Sequence, residues 1–159
     1  MTVPSLVSSC ARAATAKEAA FRIDYPLAPA RATRVVGFDA HAVEVVRSAA
    51  GHEWSQAQFY SAADPGLQLV TVAGESRPLA DVLDGVDSLV MVAATGEGAA
   101  AVATIGAACH VRGIMTAGLV LTPGRLTSDA LMALRPSARV LLVPADEDDL
   151  LELLRAIRA

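Results

Sequence analysis

From residue 33 onward the chain alternates short, near-continuous apolar runs with longer stretches of helical period, and few architectures accept that pattern. Arg34-Val35-Val36-Gly37-Phe38 reads as a strand. Residues 40–50 read as a helix closed by Gly51, with Ala42, Val43, Val46 and Ala50 as its apolar stripe. Residues 58–60 and 67–72 are the next strand candidates, separated by the turn Asp64-Pro65-Gly66. Residues 78–83 suit a short helix with Gly85 as its C-cap, and 88–94 a strong strand. Thr95-Gly96-Glu97-Gly98 then opens an alanine-rich helix running to about residue 111. A strand over 113–122, a helix over 128–134, a strand over 139–143 and a helix over 146–158 complete the series. Strands that are apolar throughout are covered on both faces, which implies a parallel sheet between helical layers. With right-handed crossovers, the expected fold is α/β: a three-layer, Rossmann-like, doubly wound and mostly parallel sheet of five or six strands.

The chain has 159 residues, the length of one domain. It is 53% hydrophobic and 19% charged, which excludes global disorder, and with aromatics at 4% the core falls to Ala, Val, Leu and Ile. A net charge of −4, a pI near 5.3 and singly scattered arginines argue against nucleic-acid binding, which needs a basic stripe. No basic cluster marks an anionic membrane surface. The mean hydropathy of +0.44 raises the question of a membrane span, but the longest apolar stretches fall well short of the roughly 20 residues required. Cys10 and Cys109 are too few and too far apart for a disulfide framework or a zinc site, and read as reduced thiols. Residues 1–20 lack a basic region leading into a sustained apolar run, so cytoplasm is the expected compartment and no membrane partner is expected.

Residues 1–32 differ from the rest. Phe21, Ile23 and Tyr25 alternate with polar residues as in a short edge strand, and Pro26 and Pro29 prevent its continuation into a central one. This segment reads as an N-terminal arm laid over the domain or over a partner, with 33–159 as the α/β domain.

Ligands of such sheets bind past the carboxyl ends of the strands. One loop there is Asp39-Ala40-His41, which lacks the glycines that let backbone approach a pyrophosphate. Asp39 suits an N-cap, and His41 is a solvated residue or faces a ligand. The other loop is Thr95-Gly96-Glu97-Gly98-Ala99, in which two glycines and a threonine precede a helix N-terminus. It either presents N–H groups to an anion or is simply a tight turn, and Glu97 places a negative charge where a phosphate would sit. Cys109 and His110 are sequence neighbours whose side chains diverge by about 100° on a helix, so they form no nucleophile–base pair. No catalytic or metal-ligating constellation emerges, and no cofactor is identified.

Val90-Met91-Val92-Ala93-Ala94-Thr95-Gly96-Glu97-Gly98-Ala99-Ala100 resembles the glycine-rich signature of the tubulin/FtsZ family of GTPases, with Thr95, Gly96 and Gly98 in its Thr-Gly-x-Gly part. The similarity spans residues 84–124, with a weaker echo over 35–50. It implies a nucleotide-binding α/β fold and a capacity for assembly. Where the family carries glycines before the threonine, this chain has Val92, Ala93 and Ala94, and Asp39-Ala40-His41 replaces the first glycine-rich loop. The family's second domain, which completes GTP hydrolysis on a neighbouring subunit, is not expected in this sequence.

The sequence therefore leads to a noncatalytic Rossmann-like protein that binds a small anionic ligand or a partner protein at its carboxyl-end loops. Thr95, Gly96, Glu97, Gly98 and Ala99 are expected to line a crevice with Asp39 and His41 across from them. Two alternatives stay open: an enzyme whose site is completed at a homo-oligomer interface, and a tubulin-like assembly protein that has lost nucleotide. The high hydropathy points to a homo-oligomer, because a monomer of this size would expose too much apolar surface.

Overall fold

The computed structural model describes residues 29–121 and 128–159. The described elements run β1 (Thr33–Gly37), α1 (Ala40–Ala50), β2 (Ala57–Ala62), β3 (Gln68–Thr71), β4 (Ser76–Pro78), α2 (Leu79–Val82), β5 (Ser88–Ala93), α3 (Ala99–Arg112), β6 (Met115–Leu121), α4 (Ser128–Leu134), β7 (Val140–Ala145) and α5 (Glu147–Ala156). The expected arm, including Cys10 and the strand at 21–25, lies outside the described residues up to residue 28. From there Arg31 N–H bonds Arg158 O at 2.9 Å, and Ala32 N–H donates to Asp87 Oδ2 at 2.9 Å, which anchors the approach to β1.

The sheet is seven-stranded in the order β4-β3-β2-β1-β5-β6-β7. Strands β2, β1, β5, β6 and β7 are mutually parallel, while β3 pairs antiparallel with β2 and β4 antiparallel with β3. The fold is thus α/β with a mostly parallel sheet, compatible with a Rossmann-like architecture. Successive residues of β5 feed opposite layers: Leu89, Met91 and Ala93 join a core with Ile105 and Cys109 of α3 and Leu134 of α4. Val90 and Val92 join another with Val45 and Val46 of α1 and Leu150 and Leu154 of α5. Period-two alternation with both faces apolar is why β5 is buried along its whole length.

Two expectations are corrected. The sheet has seven strands rather than five or six, because β4 (Ser-Arg-Pro) is exposed throughout and carries no apolar signal. Pro78 is tolerated there because an edge strand does not need its N–H. The stripe of α1 is also rotated: Ala42, Val45, Val46 and Ala49 are buried, whereas Val43 and Ala50 are only partly so. Among the described residues no helix is long and apolar enough to cross a membrane.

The order of the parallel strands fixes where a site can form. The chain leaves β1 for β2 on one side and later returns to β5 on the other, so the carboxyl ends of β1 and β5 flank the point where the winding reverses. That crevice is where sheets of this kind bind their ligands.

Candidate functional site: the carboxyl ends of β1 and β5

Asp39, two residues beyond Gly37 at the end of β1, occupies this position. It is buried, at 6% exposure, and its backbone is extended so that it caps α1. Its Oδ1 accepts the N–H of Ala42 at 2.9 Å. Its Oδ2 accepts the N–H of Ala94 at 2.6 Å and of Thr95 at 3.0 Å, both in the loop after β5. One carboxylate thus caps α1 and ties the two loops of the switch point together with charge-assisted hydrogen bonds. A phosphate oxygen in a nucleotide-binding loop would accept the same kind of N–H.

Helix α3 has a second carboxylate near its start. Asp64, in the connection between β2 and β3, accepts the N–H of Ala101 through Oδ1 at 2.8 Å. Within the loop, Glu97 N–H donates to Thr95 Oγ1 at 3.1 Å. Gly98 adopts φ +78°, and a Cβ there would stand 2.9 Å from Phe38 O, so the β5–α3 loop is closed down on the β1–α1 loop. Only glycine satisfies both the left-handed backbone and that approach. Among the described residues, the N–H groups of Gly96, Gly98 and Ala99 have no hydrogen-bond partner.

Thr95, Gly96, Glu97 and Ala99 line an open groove of about 760 Å³ whose other wall is α4, through Asp129, Met132 and Ala133. A Cβ on Gly96 would meet Asp129 Cβ at 2.8 Å, which measures how near the walls come. Asp39 and His41, expected across the crevice, do not line this groove. Asp39 is buried as the tie between loops, and His41 is exposed in the first turn of α1. Gly98 is buried against Phe38 rather than open to the groove. Sequence reasoning missed Asp64, Asp129 and Met132. The first had a signal, since an Asp-Pro-Gly turn after a strand end places its carboxylate near the next loop. The other two had none, because the contact of α4 with this loop is purely tertiary.

Cys109 lies in the core, and burial pushes its thiol from the ordinary 9.0 up to about 11, with the Arg112 guanidinium pulling weakly the other way. It is a packing residue and not a thiolate nucleophile at neutral pH. Among the described residues no cluster of three or more His, Cys, Asp or Glu stands ready for a metal ion.

Compared with models of known protein families and with curated proteins, the chain matches none of them.

Proposed function

We propose that this chain is a noncatalytic Rossmann-like module whose carboxyl-end groove binds a partner protein, with another copy of the chain as the partner its surfaces fit best. The observation that carries the reading is the Asp39 carboxylate, which takes the N–H groups of Ala94 and Thr95 at the switch point. With Asp64 beside the start of α3 and Glu97 and Asp129 on the groove, a bound phosphate would meet fixed negative charge at each approach. The small-anion branch is accordingly the weaker one. A partner's amide oxygens can accept from the N–H groups of Gly96 and Ala99, its cations can pair with Glu97 and Asp129, and Met132, 66% exposed, offers an adaptable apolar contact.

The chain itself provides such a partner surface. At the carboxyl ends of the strands stand Asp39, Asp64, Glu97, Asp129 and the run Asp146, Glu147, Asp148 and Asp149, with no Lys or Arg among the described residues of those loops. At the amino ends stand Arg31, Arg34, Arg112, Arg135, Arg139, Arg155 and Arg158, alongside Glu53, Asp81, Asp84 and Asp87. Opposite charge at opposite ends suits head-to-tail contact between copies. The similarity of residues 84–124 to the tubulin/FtsZ family agrees with an assembling fold in which nucleotide has been replaced by side chains.

Light scattering on the purified chain at tens of micromolar tests this reading. The expected result is a mass of two or more chains that falls toward one as salt is raised and in Glu97→Lys/Asp129→Lys. A single-chain mass at low salt, or an oligomer indifferent to both changes, overturns it.

A further inference from the structure

A second cavity lies at the opposite end of the molecule, and its chemistry differs from that of the groove. About 490 Å³ open between the second half of α3, the start of β6 and the turn from α4 into β7. That volume is within the range of small-molecule sites. We infer that this cavity binds a small organic acid, its carboxylate held by Arg139, His110 and Ser137 and its aliphatic part by Ala107, Ile114 and Pro136.

Charge comes first. The lining includes Arg139 and His110 and no Asp or Glu, in a chain whose acidic residues outnumber Lys and Arg by 17 to 13. Arg139 is exposed and makes no ion pair among the described residues, and its described side-chain contact is a long one from Nη1 to Met115 Sδ at 3.8 Å. An unpaired guanidinium fork beside a cavity matches the two oxygens of a carboxylate. Ser137 supplies a hydroxyl and His110 a ring N–H, both free of other described partners.

Shape follows from one glycine. A Cβ on Gly106 would stand 2.3 Å from Ser137 Oγ, so only glycine lets the α4–β7 turn approach α3 this closely. Thr116 fixes that turn from β6: its Oγ1 donates to Ser137 O at 2.7 Å and accepts Arg139 N–H at 3.3 Å. The backbone positions of Ser137 and Arg139 are therefore set by the fold.

The C-terminus of α3 carries partial negative charge, which opposes an anion nearby. Here two of its last carbonyls are already engaged: His110 O accepts Gly113 N–H at 3.2 Å, and Cys109 O accepts Ile114 N–H at 2.9 Å. Arg112 in the last turn adds positive charge. The apolar residues distinguish the ligand from a bare phosphate, because Ala107, Ile114 and Pro136 give a hydrocarbon chain surface to cover.

The test is an NMR titration of the ¹⁵N-labelled full chain with butyrate and, separately, with inorganic phosphate. It is run in wild type and in Glu97→Lys, which releases this end of the molecule if copies associate. The expected result is saturable movement of the Gly106, Ser137 and Arg139 amides in at least one of these backgrounds, with butyrate bound at least as tightly as phosphate. Arg139→Gln should weaken butyrate about tenfold, the size of a lost charged pair. Ala107→Leu, a good helix former at an exposed position, should weaken it similarly by filling the cavity. Absence of saturable movement in both backgrounds overturns the inference, as does unchanged affinity in Arg139→Gln or tighter binding of phosphate than of butyrate.

Discussion

Asp39 makes three hydrogen bonds, and each has a separable consequence. Truncation to alanine removes the cap of α1, worth about 1 kcal/mol. It also removes the carboxylate that accepts the N–H groups of Ala94 and Thr95, at about 1–3 kcal/mol for a hydrogen bond to a charged group. Urea denaturation of Asp39→Ala should therefore show a loss of roughly 2–4 kcal/mol. Asp39→Asn, which keeps an acceptor oxygen, should lose less. Equal losses in the two variants would mean that the carboxylate is not the tie between the loops. Cys109 gives a second prediction at this scale. Its folded pKa is raised, so the unfolded thiol ionises first and stability falls as pH rises from about 9 through about 11. Replacing Cys109 with alanine should remove that part of the alkaline decline, read from denaturation midpoints across the range. The native thiol should also resist alkylation at pH 7.5 until the chain is unfolded.

At the scale of elements, the rotated stripe of α1 makes a direct comparison possible. Val45 is buried and Val43 only partly so, so Val45→Ala should cost roughly 1–2 kcal/mol and Val43→Ala clearly less. The opposite ranking would restore the stripe expected from sequence. The error has a physical source: with alanine at 40, 42, 49 and 50, apolar residues surround the helix and the period loses contrast. Where contrast was high the reading held, as for β5, which the sequence carries as 88–94 and the structure as Ser88–Ala93. Helix α4 coincides at both ends. The antiparallel β3 was legible in principle, because the short connection through Asp64-Pro65-Gly66 leaves no room for a crossover helix. Strand β4 was not legible, since its three residues pair at an edge and bury nothing. At the candidate site, sequence located both loops and the N-cap role of Asp39. It could not show that the Asp39 side chain reaches across to Ala94 and Thr95, because strand order alone brings those loops together.

Over the whole molecule, the arginines that stand singly in the sequence are collected by the topology. Every α/β crossover returns its helix C-terminus to the amino end of the sheet, and the charges that complement helix dipoles travel with it. Helix α5 shows the pattern in one element, with Asp146 in a capping box and Glu147, Asp148 and Asp149 at its start, and Arg155 in its last turn. The result is an acidic carboxyl end, where the proposed groove lies, and an arginine-rich amino end. We propose that the carboxyl end, occupied by the chain's own carboxylates, meets protein rather than nucleotide. Thermal denaturation with GTP, GDP and ATP, each with and without magnesium, tests it most directly. A nucleotide at 100 times its Kd would add roughly 2.7 kcal/mol, or roughly 5–10 °C in Tm for a chain of this size. No rise is expected with any of them, and a magnesium-dependent rise of that size, abolished in Gly98→Val, overturns the proposal.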